Sequence, residues 1–598
     1  MSRLRSTRTA WGEGALALLA PWAIAAAVTM LLAWQHVVLL RMWDPDDYMR
    51  LLEVRDWLAG QSWFDVTQYR LDPPRGFAMH WSRIVDLPIA ALTLLFRPLL
   101  GDVLGERAAL CVVPLLILLG IMAALMIATR RVGGPAASFA APLLVACCPP
   151  ILFQTMPMRI DHHGWQTMMA MATAAALLDP RALRGGLLAG LAAAIWLSVS
   201  MEGVPMVAAI FGLVILRFLI GRDDAGHAAR LQGFATAFAG GAALWFLVAH
   251  RLSAWGHTEC DAMGPAWLML IGGGALGAIV AARHLATAPR AVRAVPIVMG
   301  TAMGLTAFLH VAPLCAAGPF GALDPVTRAF WYDHVVEGLP IWRQSADMQG
   351  MILAFPLIGI AGLALGWCAA ETPAARRQWA SLLLIAGAAF ALSLLVQRTS
   401  AVAHGFALPG AAWLLARALD RVRKSHRLLV RVVGSSAAIL AASPLTATSI
   451  GGALIDAIDP APVAQQGQPT PLACAQGCDR WSALEALPAT YILSTLDVAP
   501  SLLVHTHHRF PASGYHRNAV PLRRTITAFT GDIDATRRMM TAQGMTHVLI
   551  DPEADEAQIY IKAAPHGLMA RLMAGHPPAW LQPVALPGSP FRMWRKIA

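Results

Sequence analysis

The fold class this sequence predicts is a polytopic α-helical membrane protein carrying an α/β domain at its C-terminal end. Three observations carry that prediction. Of 598 residues, 57% are hydrophobic and only 14% charged, and the mean hydropathy is +0.55. The apolar residues come in long unbroken runs that a soluble protein of this size has no interior to hide. Beyond residue 450 those runs stop, and short strand-like and helical stretches replace them.

At about 20 apolar residues per span, the runs predict about thirteen transmembrane helices, near 15–40, 106–129, 136–153, 163–178, 185–200, 203–220, 232–250, 264–282, 294–313, 348–369, 378–396, 401–417 and 428–446. Basic residues test the count. With the N-terminus cytoplasmic, the inner loops hold Arg130 and Arg131, Arg181 and Arg184, Arg217, Arg222 and Arg230, Arg283, Arg290 and Arg293, Arg376 and Arg377, and the run from Arg417 to Arg431. Every short basic cluster then falls on one side, as the positive-inside bias requires. The N-terminal run has a basic start (Arg3, Arg5, Arg8). Its apolar core of about 25 residues exceeds the roughly 7–15 of a cleaved signal segment, so it reads as a retained first helix.

An odd helix number leaves the C-terminal segment outside. The expected organisation is a transmembrane domain over 1–449 with large outer loops at 41–105 and 315–347, then an extracytoplasmic α/β domain over 450–598. The expected location is a bacterial inner membrane, with that domain in the periplasm. The segment is Pro-rich from Asp459 to Pro471, then shows strand-like runs at Tyr491–Leu496, Ser501–His505 and His547–Ile550.

The net charge of +11 comes almost wholly from Arg, with Lys only at Lys424, Lys562 and Lys596. Most of it is topological bias; the remaining anionic partner to expect is a lipid phosphate, and nucleic acid is not expected. Eight Cys in so long a chain are not a disulfide framework. Cys111, Cys147, Cys148, Cys315 and Cys368 lie in or beside apolar runs and read as packing residues. Cys474 and Cys478, in an outer polar region, read as a candidate disulfide in preference to a metal site.

The outer loops carry the polar complexity, and the active surface is expected there. Asp44, Asp46 and Asp47 crowd three acids into four residues just after the first span. Such a cluster resists desolvation, and a bound cation is the usual compensation; an Asp-Pro loop start is the plainer alternative. A second set follows in Arg159-Ile160-Asp161-His162-His163, where Asp161 and His163 offer oxygen and nitrogen to one divalent ion, or Asp161 simply caps the next helix. Glu337 precedes the tenth span and suits an acceptor or the metal; Glu202, at another outer loop, is a weaker candidate. Arg398 stands at the outer end of the eleventh span, against the topological rule. It suits a forked contact to a lipid phosphate, with interfacial snorkelling as the alternative.

In order and placement, Asp44-Pro45 with Arg50, Asp161-His162-His163, Val336-Glu337 and Arg398 resemble motifs of oligosaccharyltransferase catalytic subunits. These belong to the GT-C superfamily of membrane glycosyltransferases, and the resemblance covers essentially the whole chain. It implies a metal-dependent, inverting glycosyltransferase that takes a sugar or glycan from a polyprenyl-phosphate or polyprenyl-pyrophosphate donor. It implies Mg2+ or Mn2+ held by an acid of the first motif with Asp161 and His163, Glu337 bearing on acceptor and metal, and Arg398 on the donor phosphate. The spacing to Arg50 favours Asp44 as the first acid, whereas counting back from Arg55-Asp56 favours Asp46.

The Trp-Trp-Asp-Tyr-Gly motif that reads a glycosylation sequon in that family is missing. Its place reads Ser494-Thr495-Leu496-Asp497-Val498, where only Asp497 remains. The acceptor is therefore expected to be a glycan, lipid or protein hydroxyl in preference to a sequon Asn. Asp497 and the cluster Tyr515, His516 and Arg517 are its candidate contacts, or Gly514 to Asn518 is merely a turn. A transporter or flippase of lipid-linked glycans is the alternative function. It predicts internal repeats and midplane charges, where this chain gathers its acids at one face. A non-catalytic scaffold leaves both acidic motifs unexplained.

Overall fold

The computed structural model describes residues 2–221, 224–257, 259–321, 323–458 and 480–597. The chain divides into two compact units: Met1–Arg41, Ser82–Ala316 and Glu337–Ala461 form the first, and Met42–Trp81, Ala317–Val336 and Pro462–Ala598 the second.

The first unit is helical and makes this a multi-pass membrane protein. Among the described residues, ten helices are long and apolar enough to cross a bilayer, or eleven if Leu428–Ala442 and Pro444–Ile458, bent by 71°, count as one span. The difference from thirteen has identifiable causes. Two expected spans, 106–129 and 136–153, lie on either side of a break at Gly134, where φ is 79° and ψ −174°, with a further break at Gly101; the stretch Arg83–Val145, counted once among the ten, therefore holds more than one helix. The expected span 163–178 is the helix His163–Leu177, only 15 residues long. It lies beside the long run without reaching a full bilayer thickness, since each residue rises about 1.5 Å.

Small residues set the helix crossings. A Cβ on Gly362 of helix Ala346–Ala369 would collide with the backbone of Gly410 in helix Ser400–Arg423. Likewise, a Cβ on Gly277 of helix Pro265–His284 would strike the Pro296 carbonyl of helix Arg290–Val311. Such close backbone approach is the usual packing solution between helices in lipid.

Cysteine usage departs from expectation at one position. Cys315 is not a packing residue: it forms a disulfide with Cys260. The bond ties the segment before helix Pro265–His284 to the turn after helix Arg290–Val311. Cys111 and Cys148 are buried as expected, whereas Cys147 and Cys368 are exposed near helix ends. Cys474 and Cys478, the Pro-rich stretch and Arg222 lie outside the described residues.

The second unit contains a two-stranded ribbon, β1 (Thr67–Gln68) with β2 (Phe77–Ala78), antiparallel. It also contains a four-stranded sheet of β3 (Ile492–Leu493), β4 (His547–Ile550), β5 (Leu581–Val584) and β6 (Arg592–Lys596) in the order β3-β4-β6-β5. β3 and β4 are parallel, and the other pairings antiparallel. Leu493, Val548, Ile550, Phe529, Leu568 and Trp594 belong to its apolar core. Ser501–His505, expected as a strand, is the end of a helix, Ala499–His505, with Pro500 in its first turn. A short apolar run fits either state by periodicity alone, and a Pro at a helix start tips it.

Candidate functional site

In the first unit the backbone turns between Phe153 and His163, and a set of buried polar groups follows from that turn. Arg159 and Asp161 are both buried and pair at 2.9 Å, with the Arg159 guanidinium over the Phe153 ring at 4.9 Å. The Asp161 Oδ1 accepts the His163 backbone N–H at 2.9 Å, capping the first turn of helix His163–Leu177. Burial opposes ionisation of Asp161, but Arg159, aided by His163 and His162, outweighs it and holds the carboxyl below its usual range. The N-cap position itself is His162, so Asp161 is an anion that meets one open N–H from just outside the helix.

One helical turn later, Gln166 projects from the same face as His163. Its Nε2 lies 3.3 Å from His163 Nδ1 and donates to Glu202 Oε2 at 2.9 Å, while its Oε1 accepts from Trp196 Nε1 at 3.3 Å. Glu202 Oε2 stands 3.8 Å from His162 Nε2 and 3.7 Å from His163 Nδ1. The Glu202 carboxylate also pairs with Arg398, and Arg398 Nη2 meets Glu337 Oε1 at 2.9 Å. Arg398 lies in the one-turn helix Gln397–Thr399, and Glu337 in the turn Val336–Gly338. Four residues far apart in sequence, His163, Glu202, Glu337 and Arg398, therefore form one charged cluster. A pocket beside it is lined by Glu202, Arg398 and Gln166 together with Met206, Leu392 and Val402.

The donor set fits a divalent cation. Ligand atoms of His162, His163 and Glu202 all lie within 4.8 Å of one another. Two imidazoles and a carboxylate suit an ion of intermediate softness.

In the second unit, the first acids open helix Pro45–Leu58. Asp44 is its N-cap: Oδ1 accepts from the N–H groups of Asp46 at 2.8 Å and Asp47 at 3.2 Å, and Asp47 Oδ2 accepts from the Asp44 N–H at 3.3 Å. This capping box answers part of the electrostatic puzzle of three adjacent acids, because backbone N–H groups at a helix start favour negative charge. Asp47 is fully buried, and Asp44 and Asp46 are half-buried. Arg50 is buried, 3.4 Å from Glu53 and stacked over Trp81 at 4.5 Å.

The acceptor candidates also lie in this unit. Asp497 is exposed, following β3. A Cβ on Gly514 would sit 3.4 Å from Asp497 Oδ1 and 2.9 Å from Trp331 Nε1, so these three residues adjoin. Tyr515 is buried, stacked on Phe77 at 5.7 Å. Burial, with Asp46 and Asp44 beside it, raises its phenol well above the ordinary range. His516 packs on Phe320 at 4.8 Å and on His80 at 5.3 Å. Arg517 is half-buried in the turn His516–Asn518.

Sequence reasoning passed over Arg159, His162, Gln166 and Trp196 as working residues and ranked Glu202 low. The spacing of His163 and Gln166 was a usable signal; the meeting of Glu202 with Arg398 was not, for nothing local announces it.

The fold resembles that of an archaeal oligosaccharyltransferase. The structure of AglB from Archaeoglobus fulgidus in complex with an inhibitory peptide and a dolichol-phosphate superposes with a TM-score of 0.64 at 16% identity, over 92% of this chain and 71% of that one. The Archaeoglobus fulgidus enzyme tethered to an acceptor peptide containing the NVT sequon gives 0.61 at 15% identity, over 93% and 72%. Its complex with Zn and sulfate gives 0.56 at 16%, over 92% and 70%. No protein-family model matches the chain, and no curated protein matches its sequence.

Proposed function

We propose that this chain is a metal-dependent glycosyltransferase that moves a sugar or glycan from a polyprenyl-phosphate or polyprenyl-pyrophosphate donor to an acceptor on the outer face of a bacterial inner membrane. The observation that carries this reading is the cluster of Arg398, Glu337, Glu202 and His163, set in a fold like that of an oligosaccharyltransferase whose structure is in complex with a dolichol-phosphate. Arg398 holds the donor phosphate by a forked contact. Glu337, its carboxylate on the same guanidinium, takes the acceptor proton as the sugar's bond to phosphate oxygen breaks and its bond to the acceptor forms. Asp161 and His163, the residues of the first unit that the resemblance implies as ligands, would hold Mg2+ or Mn2+. Such an ion, when bound, neutralises charge on the leaving phosphate.

The disulfide supports the orientation. Cys260 and Cys315 sit in two loops that the predicted topology puts outside, and disulfides persist in oxidising compartments. The acceptor is a glycan, lipid or protein hydroxyl, read by Asp497 with Tyr515, His516 and Arg517; the sequon-reading motif is absent from the sequence. The test is a deletion strain complemented with the wild-type chain or with His163→Ala or Arg398→Ala, comparing lipid-linked and surface glycans by mass spectrometry. The expected result is that neither variant restores the product made by wild type. Full restoration by both would remove the enzyme reading.

A further inference from the structure

Beyond its place beside His162 and His163, Glu202 has no step in the proposed transfer, yet it lies against Arg398, the cation assigned to the donor. Arg398 is more buried than either acid on it: its side chain is 18% exposed, against 34% for Glu202 and 39% for Glu337. A guanidinium already engaged by two carboxylates has its charge met and its donors towards Glu202 taken, so an arriving phosphate has to displace a carboxylate to reach it. From this geometry we infer that Glu202 is a placeholder. Its carboxylate occupies the face of Arg398 that a phosphate monoester or diester takes, and binding proceeds by exchange of one for the other.

Two features make the exchange feasible. Arg398 keeps Glu337 at 2.9 Å when Glu202 leaves, so no buried charge is stranded. Glu202 keeps the Gln166 amide at 2.9 Å, an amide whose orientation is fixed by Trp196, and it has His162 and His163 close by. The pocket next to the pair has a polar end at Glu202, Arg398 and Gln166 and an apolar wall of Met206, Leu392 and Val402. Phosphate on an apolar chain fits that lining better than free phosphate does.

This inference rests on the donor site proposed above, and one binding experiment separates the two. Full-length protein in detergent, free of added metal, is titrated with a polyprenyl monophosphate and, in a second arm, with inorganic phosphate. Glu202→Gln should bind the lipid about tenfold more tightly than wild type, a gain that mere loss of structure does not produce; Glu202→Ala should do the same. Arg398→Ala should abolish binding in every background. Wild-type or weaker binding in both Glu202 variants, with Arg398→Ala still inactive, overturns the placeholder alone. Unchanged binding in Arg398→Ala overturns the donor site itself. Inorganic phosphate should show the same gain at much weaker affinity; equal affinity for the two probes would remove the lipid from the proposal.

Discussion

Two buried carboxylates, one in each unit, meet the same difficulty in opposite ways. Asp161 in the first unit has Arg159 at 2.9 Å and a backbone N–H on its other oxygen, and it stays ionised. Glu556 in the second unit accepts from the N–H groups of Leu496 at 3.0 Å and Asp497 at 3.1 Å and from the Tyr560 hydroxyl. None of these partners is a cation. Burial, and then the neighbouring Asp497, push its carboxyl up to about 7 despite those hydrogen bonds. Asp161 is answered with a charge, and Glu556 with a proton. A cation or phosphate site is served by the first solution, because groups that stay ionised supply the strongest fixed field there.

The comparison can be broken most forcefully at the paired cluster. His163→Ala or Arg398→Ala should lower transfer by about 100-fold or more, the scale of losing one charge-stabilising group, with little change in melting temperature. Product formation by purified protein measures it, and near wild-type rates in both variants would dissolve the cluster's role. Asp161→Ala should behave differently, because it leaves Arg159 buried without its counter-charge. A loss on the order of 3–5 kcal/mol of stability is expected, read as a lower unfolding midpoint. The double variant Arg159→Met with Asp161→Leu should regain most of that loss; a double variant as unstable as the single one would show that packing, not pairing, is what Asp161 supplies.

The proton-holding acid yields a pH signature of the opposite sign. Since Glu556 titrates higher when folded than its ordinary value near 4.5, its favourable contribution is complete below that value and fades as pH rises towards about 7. As pH rises from 5 to 8 the second unit should lose stability, by roughly 3 kcal/mol if the whole shift is expressed. Glu556→Gln should flatten that slope, and a slope identical to wild type would acquit Glu556. The smallest effect is expected from Tyr560→Phe, about 1 kcal/mol for one lost hydrogen bond. Because that hydroxyl favours the ionised acid, the variant's pH transition should also move upward, and a downward move would contradict the pairing.

Much of this was legible beforehand for a physical reason. Membrane spans declare themselves by unbroken apolar length, and Arg398 by standing on the side where Arg is scarce. Asp161 and His163 declared themselves through spacing. What stayed hidden depended on distant residues meeting. The pair Glu202 and Arg398 is separated by 196 positions, and the partner of Cys315 lies 55 positions away. By contrast, the helix boundary at Gly134 was legible, because Gly133-Gly134-Pro135 is the kind of triplet that ordinarily ends a helix. Ser501–His505 was misassigned because five residues are too few for a helical period to show.

The Cys260–Cys315 bond has one more consequence. Because the two cysteines flank the helices Pro265–His284 and Arg290–Val311, the bond closes that hairpin into a covalent ring. On the proposed orientation, it forms only after both helices have been inserted and both ends delivered to an oxidising compartment. The thiol state of this pair is therefore a record of biogenesis: alkylation of newly made chains would separate those that finished threading the bilayer from those that stalled or entered upside down.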